Sequence, residues 1–436
     1  MTRHPTPAIN DAINREQGTA IIDDSEGGQT TAITVAIAAK CLLVMISFLV
    51  VGCESDYSYR DIVAERVDIH DVADCVFDET EEGWEQYTCV PIFSNIDPGA
   101  GLWERESVGN FDIVQREIFG APFYQMWYSG NSGTGANDGQ EIGYAISLDG
   151  VDWERHPYNP VLRRGNQPGS FDRDDASVGC AAFDGDSGVF HLWYTGTNSG
   201  GIGTTFGHAT SPDGVHWTKN LLNPIDVFRN SSSPLSRVWG CDALYDDGLF
   251  HFWVGGVAWE SSLGNVQEFL DSAKYNIGYL STVDGTTFSG EGDIILEHTG
   301  LETEFFDAEG VHKPSVFTYR GEGHTASDPA YWMLYAGYQD VIAQQNPTTN
   351  LINIGTEGQR LGLANSPWPD EGWLKLSDQP VPLDFSGADT ADNPRAFFIN
   401  GRLHVFFNDT FIDPIDGSTI SGIGLGISPF PIGATE

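Results

Sequence analysis

The chain has 436 residues, with 21 Lys and Arg against 62 Asp and Glu and a formal net charge of −41. A surface this acidic repels phosphate backbones, which argues against nucleic acid as a partner, and it keeps a protein soluble at high salt. Apolar residues make up 40% and aromatic residues 12%, enough for a sizeable core and too much for a wholly disordered chain. With 51 glycines, the composition points to turn-rich β structure.

Residues 1–31 are polar and without periodicity. Lys40 then precedes an apolar run from Leu42 to Val51, closed by Gly52 and Cys53. A charged flank, a short apolar stretch and a small residue before cysteine form an export signal. Val50-Val51-Gly52-Cys53 resembles a bacterial lipobox, whose cysteine becomes the lipidated first residue. A single N-terminal membrane anchor of about 20 residues is the alternative. The expected organisation is a leader over 1–53, a linker over 54–82 and one domain over 83–436. The expected location is the bacterial cell surface or periplasm, with membrane contact only through a lipid or N-terminal anchor. Outside the leader stand Cys75, Cys89, Cys180 and Cys241. In an oxidising compartment Cys75 and Cys89 are the local pair, and Cys180 and Cys241 then pair or stay free.

Two strand patterns recur in phase. An apolar-aromatic strand appears at Met126-Trp127-Tyr128-Ser129-Gly130, Leu192-Trp193-Tyr194-Thr195-Gly196, Phe252-Trp253-Val254-Gly255-Gly256, Met333-Leu334-Tyr335-Ala336-Gly337 and Val405-Phe406-Phe407-Asn408-Asp409. A second strand follows each, starting at Ile142, Phe206, Ile277, Leu361 and Ile423. Asp149-Gly150, Asp213-Gly214 and Asp284-Gly285 are hairpin turns, where glycine supplies positive φ. The aromatics after them, Trp153, Trp217 and Phe288, are expected to pack between repeats. Five copies, each long enough for four strands, predict an all-β, five-bladed β-propeller of four-stranded antiparallel blades. The last copy lacks an outer strand, and Gly83-Trp84 with Pro91-Ile92-Phe93 matches the missing piece. Residues 83–93 are therefore expected to close the ring from the N-terminal side.

The first strand of each blade lines a propeller's axis, so acids entering it converge. Asp175, Glu309 and Asp389 precede their inner strands at similar distances, Glu106 or Asp112 corresponds in the first blade, and Asp242 lies further along the third. Converging carboxylates shift one another's pKa values, as glycosidic hydrolysis requires of its acid and its carboxylate. Trp103, His312, Lys313, Asp392 and Arg395 enter the same zone as candidate substrate-binding residues. His191 and His251, beside strand aromatics, read as structural.

These repeats resemble the five-bladed propeller glycosidases of glycoside hydrolase families 43, 32, 62, 117 and 130, over about residues 83–434. The resemblance implies a base or nucleophile in the first blade, a pKa-modulating Asp in the second and a general acid in the third. Asn110-Phe111-Asp112 is similar to the first motif and Arg173-Asp174-Asp175 to the second, both without the family's Pro. Glu309-Gly310-Val311-His312 is the closest match to the third, one blade late. The expectation is an exported glycoside hydrolase with Asp112 as base, Asp174 or Asp175 as modulator and Glu309 as acid. The alternative is a non-catalytic propeller that binds glycan or a protein partner. A carbohydrate substrate, a monomer, no required cofactor and no transition-metal site are expected. An axial Ca²⁺ held by oxygen ligands is the one ion considered; Asp413 to Gly417 reads as a turn. The insert from Tyr338 to Arg360 is the expected contributor to substrate subsites.

Overall fold

The computed structural model describes residues 77–79, 84–87, 91–133, 139–198, 205–225, 237–257, 274–300, 305–320, 325, 328–345, 352–357, 359–381, 383, 392–399, 402–412 and 419–428. The leader, Cys75, Cys89, Asp389 and the turn at 413–417 lie outside them. All the described residues belong to one compact unit, Val63–Glu436.

The unit is a five-bladed β-propeller. Blade one is β4 (Ser107–Ile118), β5 (Ala121–Asn131), β6 (Glu141–Ser147) and β7 (Glu154–Arg155), in that order from the axis outward. Blade two is β8 (Asp175–Asp184), β9 (Val189–Thr197), β10 (Thr205–Ser211) and β11 (Thr218–Lys219). Blade three is β12 (Arg237–Asp246), β13 (Leu249–Val257), β14 (Asn276–Thr282) and β15 (Phe288–Leu296). Blade four is β16 (Gly310–Thr318), β17 (Tyr331–Tyr338), β20 (Arg360–Ser366) and β21 (Leu374–Lys375). The insert between β17 and β20 folds as its own hairpin, β18 (Asp340–Gln345) with β19 (Ile352–Glu357). Every ladder is antiparallel.

Blade five joins both ends of the unit. Its chain-terminal strands are β22 (Asp392–Ile399), β23 (Arg402–Ile412) and β24 (Thr419–Ile427). Its outer strand comes from β2 (Glu85–Tyr87), with Glu85 opposite Ile427, and from β3 (Phe93–Ser94), with Phe93 opposite Ile423. An Arg402–Glu85 ion pair of 2.7 Å ties β2 to the blade. Trp84 is buried with Leu403, Phe407 and Ile420. The ring is thus closed by its N-terminal segment, as the missing motif requires. One strand exceeds expectation: β1 (Phe77–Glu79), in the stretch read as linker, extends the sheet by pairing with β2.

The repeated motifs have mechanical roles. In each Ser/Thr-x-Asp-Gly turn the aspartate takes two backbone N–H groups, as Asp213 does from Val215 and His216. Two of the three turns also accept a latch from the preceding blade. Trp127 Nε1 donates to Gly214 O and Trp193 Nε1 to Gly285 O, both at 2.8 Å. Trp153 and Trp217 pack partly buried against Phe406 and Trp127 of the preceding blades. Gly214 has φ +81°, and a Cβ there would stand 2.9 Å from Trp127. Gly214→Ala combines a left-handed cost with a clash, so chemical denaturation is expected to show a loss of roughly 2–3 kcal/mol; a loss below about 0.5 kcal/mol would count against the latch. Asn159-Pro160 and Asn223-Pro224 follow the turns of blades one and two, and the side chain of Asn159 pairs with both backbone groups of Tyr144 and with Tyr128 Oη. Asn223 repeats this on His208 and Tyr194.

Candidate active site

Each inner strand carries a β-bulge before it reaches the axis: at Gly109/Phe111, Val178/Cys180, Val238/Cys241, His312/Ser315 and Asp392/Arg395. Asn110, Gly240, Lys313 and Asn393 there have positive φ. Bulges twist a strand and re-aim its side chains, and so cluster near functional sites. Beyond the bulges, Asp112, Cys180, Asp242, Ser315 and Arg395 occupy register-equivalent positions, opposite Trp127, Trp193, Trp253, Leu334 and Phe406.

One side chain binds this ring together. Arg395 Nε pairs with Asp112 Oδ1 at 2.5 Å. Its Nη1 donates to Pro394 O (2.7 Å) and Pro314 O (3.4 Å), and its Nη2 to Cys241 O (3.1 Å) and Gly179 O (3.2 Å). The equivalent carbonyl of blade one, Phe111 O, accepts from Asn393 Nδ2. A single guanidinium therefore touches all five blades. Asp112 also accepts from Ala181 N and Ile113 N, and Asp242 from Ala243 N and Val316 N. The Cys180–Cys241 disulfide joins blades two and three beside them.

This geometry corrects several expectations. Asp112 and Arg395 are 2% exposed and Asp242 7%, so they form a structural hub and do not face a ligand. Burial pushes the Asp112 and Asp242 carboxyls up, against the pull of Arg395. An axial Ca²⁺ does not fit either, because the guanidinium already supplies the positive charge between these carboxylates. Among the described residues no group of three His, Cys, Asp or Glu could hold a metal ion. Trp103 also departs from expectation. Its ring packs over Gly130 and Gly143 and against Tyr128, as Phe171 and Phe306 do in their own blades. The acid after each of these aromatics pairs with a base on the outer strand: Glu104 with Arg155, Asp172 with Lys219, Asp307 with Lys375.

The remaining candidates stand where the inner strands begin. Glu106 is exposed, and its backbone N bonds Asn131 O. Asp174 is half-buried, and its carbonyl accepts from Arg164. Asp175 opens β8 half-buried, accepting from Thr197 Oγ1 (2.7 Å) and Gln140 N (2.9 Å). Glu309 sits one residue before β16, paired with Lys274 of blade three. Lys313 pairs with Asp392 across blades four and five. Burial drives the Asp392 carboxyl upward, but the Lys313 ammonium overcomes this and holds it below the usual carboxylate range.

Around this pair lie buried polar atoms with no hydrogen-bond partner among the described residues: His312 Nε2, Asp392 Oδ1 and Asn408 Oδ1; the Tyr338 hydroxyl beside them meets the Tyr275 backbone. His312 and Tyr338 meet ring to ring at 5.3 Å, and Asp392 lies opposite Asn408 in the ladder. Buried polar groups are nearly always bonded, so such a cluster is an address for water or a hydroxyl-bearing ligand. Asn408 and Lys274 are not legible as site residues in the sequence, and Tyr338 enters it only as the first residue of the insert expected to form subsites. Tyr338 follows the repeated strand motif, where the other blades have Asn131 and Thr197, and this departure is the available signal.

Buried imidazoles set the response to acid. His191 Nδ1 and His208 Nε2 share one hydrogen bond of 3.0 Å, which needs one neutral acceptor. Burial pushes His191 to about 4 and His208 to about 3. It pushes His312 and His404 to about 4. The unfolded chain therefore binds more protons below an ordinary histidine pKa of about 6.5. Stability from these groups is complete above that pH and is lost as pH falls toward about 4. The raised Asp112 and Asp242 carboxyls work in the opposite direction, but four imidazoles outweigh two carboxyls. Denaturation midpoints are expected to fall between about pH 6.5 and 4; a flat or rising profile would contradict these burials.

No family model matches the sequence, and no curated protein matches it. Among solved structures, a beta-1,2-mannobiose phosphorylase from Listeria innocua is similar at 12% identity and TM-score 0.49, over 79% of this chain and 96% of that one. A glycoside hydrolase shows 15% identity and TM-score 0.48, over 75% and 90%. The catalytic domain of the Coprinopsis cinerea GH62 alpha-L-arabinofuranosidase shows 11% and 0.42, over 73% and 90%. No residue role passes from them to this chain.

Proposed function

We propose that this protein is an exported glycoside hydrolase that cleaves O-glycosidic bonds in oligo- or polysaccharides at the mouth of the propeller. The observation that carries this is the set of orphaned buried polar atoms on His312, Asp392 and Asn408 beside lysine-held carboxylates. A polyol supplies the missing partners, and the carboxylates supply acid-base chemistry. Asp392, kept ionised by Lys313, activates water or the anomeric carbon. Glu309 becomes the proton donor to the leaving oxygen once bound substrate displaces the Lys274 ammonium that pairs with it. Asp175 orients the sugar. Export is supported by the lipobox-like segment and by the Cys180–Cys241 bond.

A second reading is a propeller that binds glycan without cleaving it. The burial of Asp112, the acid expected to serve as base, favours it. A screen of aryl-glycosides and polysaccharides with the wild type, Glu309→Gln, Asp392→Asn and Asp175→Asn separates the two. Hydrolysis lost in the variants supports the enzyme; binding without any turnover supports the second reading.

A further inference from the structure

A pocket of about 370 Å³ lies on the outer side of blades one and two, lined in part by Arg163, Arg164, Asn166, Ser170, Trp217 and Lys219. Its volume is at the low end of small-ligand pockets, roughly 300–1,000 Å³. The composition is unusual for this chain. Only 21 of its residues are Lys or Arg against 62 acids, yet three of the 21 line one pocket. Its single lining acid, Asp172, is already matched by Lys219 at 2.5 Å. Arg164 is engaged at the wall, by the Asp174 carbonyl and, through its backbone N, the Glu141 carboxylate, so the exposed Arg163 is the cation that the pocket presents.

The walls are built before any ligand arrives. Lys219 Nζ donates to Arg163 O, Gly165 N to Asp172 O, and Arg164 Nη1 to Asp174 O. Trp217 is held by its indole N–H on Gly214 O. An aromatic wall, an amide and a hydroxyl, and the exposed Arg163 guanidinium suit a ring that carries hydroxyls and one acidic substituent. Guanidinium pairs with carboxylate or sulfate through two parallel hydrogen bonds.

We propose that this pocket is a second binding site, for an anionic sugar residue, separate from the carboxylate cluster at the mouth. It does not depend on the chemistry assigned there. Arg164 at its wall bonds the Asp174 carbonyl, one residue before Asp175.

The test is calorimetric titration of the full chain with a galacturonate trisaccharide, a sulfated galactose disaccharide, their neutral counterparts and sodium sulfate, at low and at moderate salt. Saturable binding of at least one acidic sugar, weakened by salt, is expected, with no binding of the neutral sugars. Arg163→Glu, an exposed position, is expected to weaken it tenfold or more with an unchanged melting temperature, and Arg164→Gln to weaken it less. Asp392→Asn is expected to leave it intact. Whether the carboxylated or the sulfated sugar binds identifies the acid. Absence of binding, equal binding of neutral sugars, sodium sulfate binding as tightly as the sugar, or affinity unchanged in both arginine variants would each overturn the assignment.

Discussion

Replacing Arg395 by methionine is expected to lower the free energy of unfolding by about 3–5 kcal/mol, as removal of one partner from a buried ion pair does. Methionine fills comparable space but removes the counter-charge of Asp112, whose carboxyl, already pushed up by burial, must then take up a proton or stay ionised at 2% exposure. It also orphans the carbonyls of Gly179, Cys241 and Pro314, each from a different blade. Arg395→Lys should rescue little, because one ammonium cannot reproduce the planar fork that reaches several blades at once. The control is Asp112→Asn with Arg395→Met. If the hub is a coupled unit, the double variant loses less than the sum of the two singles. Strict additivity, or a loss under about 1 kcal/mol for Arg395→Met, would show that the blades hold together without it.

Glu309→Gln and Asp392→Asn are each expected to lower kcat/KM by about 10²–10⁴, the range of a lost general acid or base. The two should differ in pH dependence. Asp392 is held ionised below the usual range by Lys313, so its limb of the rate profile lies on the acid side. Lys313→Met releases that hold and should move the limb upward, a shift that a merely structural lysine would not produce. Asp112→Asn should act through stability, with kcat of the folded fraction close to wild type. A variant series in which Asp112→Asn abolishes turnover while Glu309→Gln does not would return the chemistry to the axis.

Much of this fold is legible because its signals are local. A strand whose aromatics alternate, a Ser-x-Asp-Gly turn that satisfies its own N–H groups, and an Asn-Pro pair that bonds the third strand of its blade each act over a short stretch of chain. Their recurrence gives the blade number, and the absence of one motif at the C-terminal end locates its replacement near Trp84. The site is less legible. Asp112 and Asp175 both appear as acids entering inner strands, but a single extra residue in each bulge re-aims the side chains beyond it. Nothing in Gly-Asn-Phe-Asp announces that Arg395, 283 positions away, will take that carboxylate. An aromatic beside acids, as Trp103 is, resembles a sugar platform; Gly130 and Gly143 instead make room for its ring inside the blade.

The amino-acid sequence by itself determined the repeat, the turn chemistry and the ring closure, because these depend on side chains bonding their own neighbourhood. Only the tertiary structure decided which acids are sealed and which meet solvent. Burial of a carboxylate is set by backbone groups and cations from other blades, and those meet only once the ring is closed.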